Sequence, residues 1–160
     1  MHDSASPFTL RSPAFAHEER IPNKYTCDGE NTSPPLAIFG VPNGTQSFVL
    51  LVEDPDIPEY VAERIGNDTF DHWVLFNIPV VATTLGEGTV SNGTQGNNSR
   101  GEPCYTGPCP PEGEHRYLFK LYALDTVLNL PIGTTKEEVT DAMTGHILES
   151  TTLMGRYARE

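Results

Sequence analysis

The chain is built from short apolar runs separated by turn-forming residues, and only one stretch carries a clear helical period. Ser47-Phe-Val-Leu-Leu-Val-Glu53 is almost continuously apolar, the pattern of a strand covered on both faces. His72-Trp-Val-Leu-Phe-Asn-Ile78 is a second such run, closed by Pro79. From His115 to Leu124 the residues alternate, so that His115, Tyr117, Phe119, Leu121 and Ala123 share one face of a third strand. Asp28-Gly29, Asn43-Gly44 and Asn92-Gly93 mark turns that favour positive φ. The Asn-x-Ser/Thr triplets at Asn31, Asn43, Asn67, Asn92 and Asn97 are read as turn chemistry as well. Near the end, Thr134 or Thr135 with Glu137 or Glu138 three residues on makes a capping box. Val139, Ala142, Met143, Ile147 and Leu148 then give an apolar stripe, which predicts a helix over about Thr135–Leu148 with Gly145 as a weak point. A shorter helix is predicted within Glu59–Ile65. No repeat, low-complexity tract or linker interrupts the pattern, so the expectation is one mainly β domain over residues 1–160 with one or two peripheral helices.

Composition narrows the function classes. With 10 Lys and Arg against 22 Asp and Glu, the net charge is −12. Such a surface repels phosphate polyanions and anionic bilayers over about 8 Å at physiological salt, so neither nucleic acid nor a membrane surface is an expected partner. The first ten residues lack a basic start followed by an apolar run, and no window approaches the roughly 18 apolar residues of a membrane helix; a cytoplasmic protein without integral membrane contact is expected. Cys27, Cys104 and Cys109 are an odd number, which speaks against a disulfide framework. Cys104 and Cys109 are close enough in sequence to pair if oxidised, but reduced thiols are the expectation for that compartment.

The candidate chemistry gathers at loop-to-strand junctions. Asp54 and Asp56 follow the buried Phe48–Val52 run and are held by the flanking Pro55 and Pro58; His72 opens a strand; His115 and Tyr117 open another. Just before them, Pro110 and Pro111 have fixed φ and no N–H, and so form a stiff wall. Taken one at a time, the carboxylates are ordinary turn residues and the histidines ordinary packed ones. Together the three segments make a plausible polar pocket on a β scaffold. The chain has no nucleophile elbow, phosphate loop, dinucleotide fingerprint or His-Glu-x-x-His. Asp56, His72 and His115 have no diagnostic metal spacing, and neither a metal nor a cofactor is expected.

Tyr25-Thr-Cys-Asp-Gly-Glu-Asn31 with Ser33-Pro-Pro-Leu36, Asp54-Pro-Asp-Ile-Pro58, Asp71-His-Trp73, and Gly107-Pro-Cys-Pro-Pro111 with His115-Arg-Tyr117 occur in an order that is far more specific than any one of them. In these motifs, and over about Leu10 to Arg159, the chain resembles the phosphatidylethanolamine-binding proteins, in the bacterial and archaeal branch often called Raf-kinase-inhibitor-like. The resemblance implies two antiparallel sheets in a Greek-key arrangement and a small pocket for phosphate, acetate or a phospholipid headgroup. By position, Asp54, Asp56, His72, Pro110, Pro111, His115 and Tyr117 match the pocket motifs. The chain departs from the family pattern at Ile57, where alanine is usual, in the longer Glu59–Asp68 segment that could lie over the pocket mouth, and at Cys104, where glycine is common. It also stops at Glu160, before the long terminal helix of the animal proteins.

The expected activity is therefore non-catalytic binding of a small anionic or phosphate-bearing ligand. His72 and His115 would donate to a phosphate-like oxygen, Asp56 would fix a histidine tautomer, Asp54 would hold the loop and Tyr117 would cap the site. Protonated imidazoles would hold an anion better, so affinity should weaken as pH rises through about 6.5. Two alternatives stand beside this reading: a hydrolase with His72 or His115 as general base, and a module that inhibits a kinase or protease through its loops. Partners implied are thus the ligand and a protein such as a kinase, with homodimerisation left open by the sequence.

Overall fold

The computed structural model describes residues 6–88 and 92–160. Residues 1–5, part of the stretch read for a targeting segment, lie outside the described residues. Two antiparallel sheets face each other. The smaller has the order β1-β2-β5, from Thr9–Arg11, Leu36–Phe39 and Thr84–Leu85. The larger has the order β6-β4-β3-β7-β8, from Thr94–Gly96, Phe70–Pro79, Ser47–Asp54, His115–Leu124 and Ile147–Tyr157. Strands β3, β4 and β6 pair in succession, and the long connection from β6 returns β7 to the free side of β3. That is a Greek key.

The continuous apolar run of β3 follows from its place at the centre of the large sheet. Phe48, Leu50 and Val52 enter the core between the sheets, while Val49 and Leu51 enter a second cluster on the opposite face, under Val139 and Met143. On β7, Tyr117, Phe119, Leu121 and Ala123 face the inter-sheet core, as the alternation predicts. Helix α2 (Lys136–Met143) covers the second cluster and begins with the predicted capping box: Thr135 accepts from the Glu138 N–H while Glu138 accepts from the Thr135 N–H. The Lys136 ammonium fastens it to the sheet, 2.8 Å from Asp71 and 3.2 Å from Glu53.

This helix is shorter than the apolar stripe suggested. Thr144 leaves helical geometry and Gly145 takes φ 84°, a conformation open to glycine at little cost. Ile147 and Leu148 therefore begin β8, where they stand 45% and 38% exposed instead of packing on a helix face. The predicted short helix is present as α1 (Glu59–Ile65), closed by Gly66 in the left-handed region with its N–H on the Ala62 carbonyl. None of its residues is fully buried.

The cysteine expectation is overturned. Cys27 and Cys109, 82 residues apart, form a disulfide, and Cys104 is free and exposed. Tertiary contacts that sequence spacing does not reveal bring the pair together. The Cys27 N–H donates to the Pro108 carbonyl at 3.1 Å, and Gly107 packs so closely that a Cβ there would lie 2.3 Å from the Tyr25 carbonyl oxygen. No described helix is long and apolar enough to cross a membrane.

Candidate functional site

A cavity of about 510 Å³ opens where the C-terminal end of β3 and the N-terminal ends of β4 and β7 meet the Pro-rich loop. A β-bulge sets its chemistry. Val52 pairs with Trp73 and Glu53 with Asp71, so His72 is an extra residue in the ladder. The added residue re-aims the side chains on either side of it. Asp71 points to Lys136 under α2, whereas Trp73 belongs to the inter-sheet core and His72 packs edge-on against Tyr117 at 5.3 Å between ring centres. Without the bulge, simple alternation would put His72 on the face opposite Trp73.

Of the seven residues singled out in the sequence, Asp54, His72, Pro110, Pro111 and Tyr117 line the cavity. Asp56 and His115 do not. Asp54 is the hub: its Oδ2 lies 2.6 Å from His115 Nδ1, and its Oδ1 accepts the Asp56 N–H at 2.8 Å. Burial pushes its carboxyl above the ordinary range, against the opposing pull of the His115 hydrogen bond. The second nitrogen of His115 lies 3.1 Å from the Glu112 carbonyl, so neither is left for a ligand. Asp56 instead grips the Arg116 guanidinium through both its oxygens, and that contact holds its carboxyl below the ordinary range. The expected roles are therefore corrected: Asp54 both holds the loop turn and orients a histidine, Asp56 does not fix a tautomer, and His115 supports the site from behind. The reason is where the strand ends. Asp54 is the last residue of β3 and shares a face with Val52 and Leu50, which places it beside β7 on the inter-sheet side, whereas Asp56 lies beyond the strand in the turn.

His72 is also different from expectation. Its Nδ1 lies 2.7 Å from the Thr106 carbonyl, and burial lowers its pKa to about 4. A ring kept neutral down to that pH cannot give anion affinity that fades near pH 6.5. It does give the fold a pH dependence. The unfolded chain binds this proton below about pH 6.5 and the folded chain only below about 4, so stability is complete above 6.5 and falls as pH drops through that window. The loss amounts to about 3 kcal/mol by the same linkage. In urea unfolding at a series of pH values, the stability lost between pH 6.5 and 4 should be smaller in a His72→Gln variant by that amount; equal losses would contradict it.

The sequence did not point to Tyr60, Val61, Arg64 and Ile65 of α1, or to Phe70 and Arg100, which also line the cavity. Only the length of the Glu59–Asp68 segment hinted at the first four, and α1 does lie against the cavity. Tyr117 is 1% exposed and its hydroxyl has no hydrogen-bond partner among the described residues. Burial drives its ionisation far above the ordinary phenol range, so it remains a neutral O–H. Among the described residues no group of three or more His, Cys, Asp or Glu is placed to hold a metal ion.

The described residues thus form a two-sheet Greek key with a small, mostly apolar cavity floored by buried polar groups. The comparisons with known proteins give it a family. The family model described as phosphatidylethanolamine-binding protein matches residues 11–158. A protein of Methanothermobacter thermautotrophicus designated UPF0098 is 49% identical over 156 residues, covering 94% of this chain and 98% of its own. The crystal structure of CT736 from Chlamydia trachomatis, described as a homologue of phosphatidylethanolamine-binding protein, superposes with a TM-score of 0.91 at 44% identity, over 96% of this chain and 98% of that one. That of YbcL from E. coli, described as a member of the mammalian family, gives 0.84 at 27% identity, over 97% and 100%. The chain belongs to the phosphatidylethanolamine-binding protein family.

Proposed function

We propose that the protein binds a small phosphate-bearing anion, of the kind a phospholipid headgroup also presents, at the floor of this cavity and without chemical turnover. The observation that carries the reading is the Tyr117 hydroxyl. A buried O–H without a partner costs about 1–3 kcal/mol, and a ligand oxygen would remove that cost. His72 stands beside it, and the apolar walls supplied by Ile57, Val61, Ile65 and Phe70 suit the organic part of such a ligand. Family membership supports the same reading.

The test is calorimetric titration with O-phosphoethanolamine. Tyr117→Phe should weaken binding by about 1.5–3 kcal/mol, the range for hydrogen bonds to charged groups, while leaving stability unchanged or raised because an unpaired hydroxyl is gone. Equal binding by both proteins, or a marked loss of stability in the variant, would oppose the reading. Phosphate release during the titration would favour the hydrolase alternative instead.

A further inference from the structure

The floor of the cavity dictates which protonation state of a phosphate it can hold. The Thr106 carbonyl can only accept, so the hydrogen between it and His72 is on Nδ1. In the neutral ring Nε2 is then a lone pair with no hydrogen-bond donor on it among the described residues; the Gly107 carbonyl, which also faces the ring, can only accept. Charging the ring would bury an imidazolium against Phe70 and Tyr117, at 4.7 and 5.3 Å between ring centres, with no carboxylate on it. Burial already resists that, holding its pKa to about 4.

The charged and titratable groups around it offer no substitute. From β7, Tyr117 is neutral and His115 has both nitrogens engaged. From β3, both oxygens of Asp54 are occupied. Arg64 and Tyr60 of α1 and Arg100 of the loop after β6 line the cavity, but all three residues are exposed to solvent. The floor thus presents one acceptor that cannot donate and one hydroxyl that can do either, and the imidazole behind it, His115, is already paired with Asp54, so no unpaired positive charge is offered there.

We infer that the cavity selects a phosphate that brings its own proton: a small phosphomonoester in its monoanionic P–O–H form, in preference to a phosphodiester such as an intact lipid headgroup. This rests on the phosphate-binding reading above. The P–O–H donates to His72 Nε2, a second oxygen accepts from Tyr117, and Arg64 and Arg100 face the remaining charge. A monoester is the phosphate that fits, because its second ionisation, near pH 6, leaves a proton on it close to neutrality, whereas a diester has none to give.

Phenyl phosphate and methyl phenyl phosphate, which carry no ammonium to act as a substitute donor, separate the cases in calorimetric titrations at about pH 5 and about pH 7.5. Monoester affinity should fall about thirtyfold between those pH values as the monoanion of second pKa about 6 disappears. The diester should bind at least about tenfold more weakly than the monoester at the lower pH and change by less than about twofold, since neither it nor His72 titrates over most of that range. Long-range 1H–15N spectra of the phenyl phosphate complex at about pH 6 should show a neutral His72 with its hydrogen on Nδ1. A diester that binds as well as the monoester, monoester affinity that rises with pH, or an imidazolium at His72 would each overturn the inference while leaving phosphate binding intact. Failure of both compounds to bind would overturn it together with the reading on which it rests.

Discussion

Replacing Cys27 and Cys109 by serine is expected to lower the unfolding free energy by about 4–5 kcal/mol at 25 °C, the chain-entropy value for a crosslink closing a loop of this length. The two cysteines are 82 residues apart, so the bond removes a large set of extended conformations from the unfolded chain. It also ties the turn after the 3-10 segment Asn23–Tyr25 to the cavity wall, since Cys109 lines the cavity next to Pro110. Urea unfolding of the wild-type protein with and without a dithiol reductant, beside the double variant, checks the number. Reduced wild type and variant should agree with each other and fall well below the oxidised protein. A difference of less than about 1 kcal/mol would show that the crosslink contributes little beyond native contacts already formed. Cys104→Ser is the matched control, because that thiol is exposed and unpaired.

The second large effect is expected at Asp54. Truncation to alanine removes the acceptor for both His115 Nδ1 and the Asp56 N–H in a region where the Asp54 and His115 side chains are 4% and 5% exposed. Breaking a buried pair from one side costs about 3–5 kcal/mol, because the partner is left without compensation. Asp54→Asn should cost less, since the amide oxygen can still accept one of the two bonds. Asp56→Ala is the contrast. Its contact with Arg116 lies at the surface, where such pairs contribute about 0–1 kcal/mol. Urea midpoints for the three variants test the order; comparable losses at Asp54 and Asp56 would reverse the roles assigned to them.

The β framework was legible because its signals are local. Alternation from His115 fixed a face of β7, an unbroken apolar run marked β3 as the doubly covered strand, and a capping box started α2. The end of that helix was misread because Ile147 and Leu148 continue the apolar stripe past Gly145, and period alone does not register a positive φ. What remained hidden was long-range. The partner of Cys109 lies 82 residues away, and nothing in the spacing of Cys104 and Cys109 distinguishes the nearer cysteine from the bonded one. The assignment of Asp54 rather than Asp56 to His115 depends on where β3 ends, and the orientation of His72 depends on a one-residue bulge. A slip of one residue moves a side chain to the other face of a sheet, so a motif can name the right segment and still give a residue the wrong task.

Binding at the cavity floor is tested most directly by a crystal structure of the protein with O-phosphoethanolamine. The phosphate should lie within hydrogen-bond reach of Tyr117 Oη and His72 Nε2, with His115 still held by Asp54. A phosphate bound elsewhere, for instance on the exposed Arg116 guanidinium, with the Tyr117 hydroxyl still without a partner, would contradict the account.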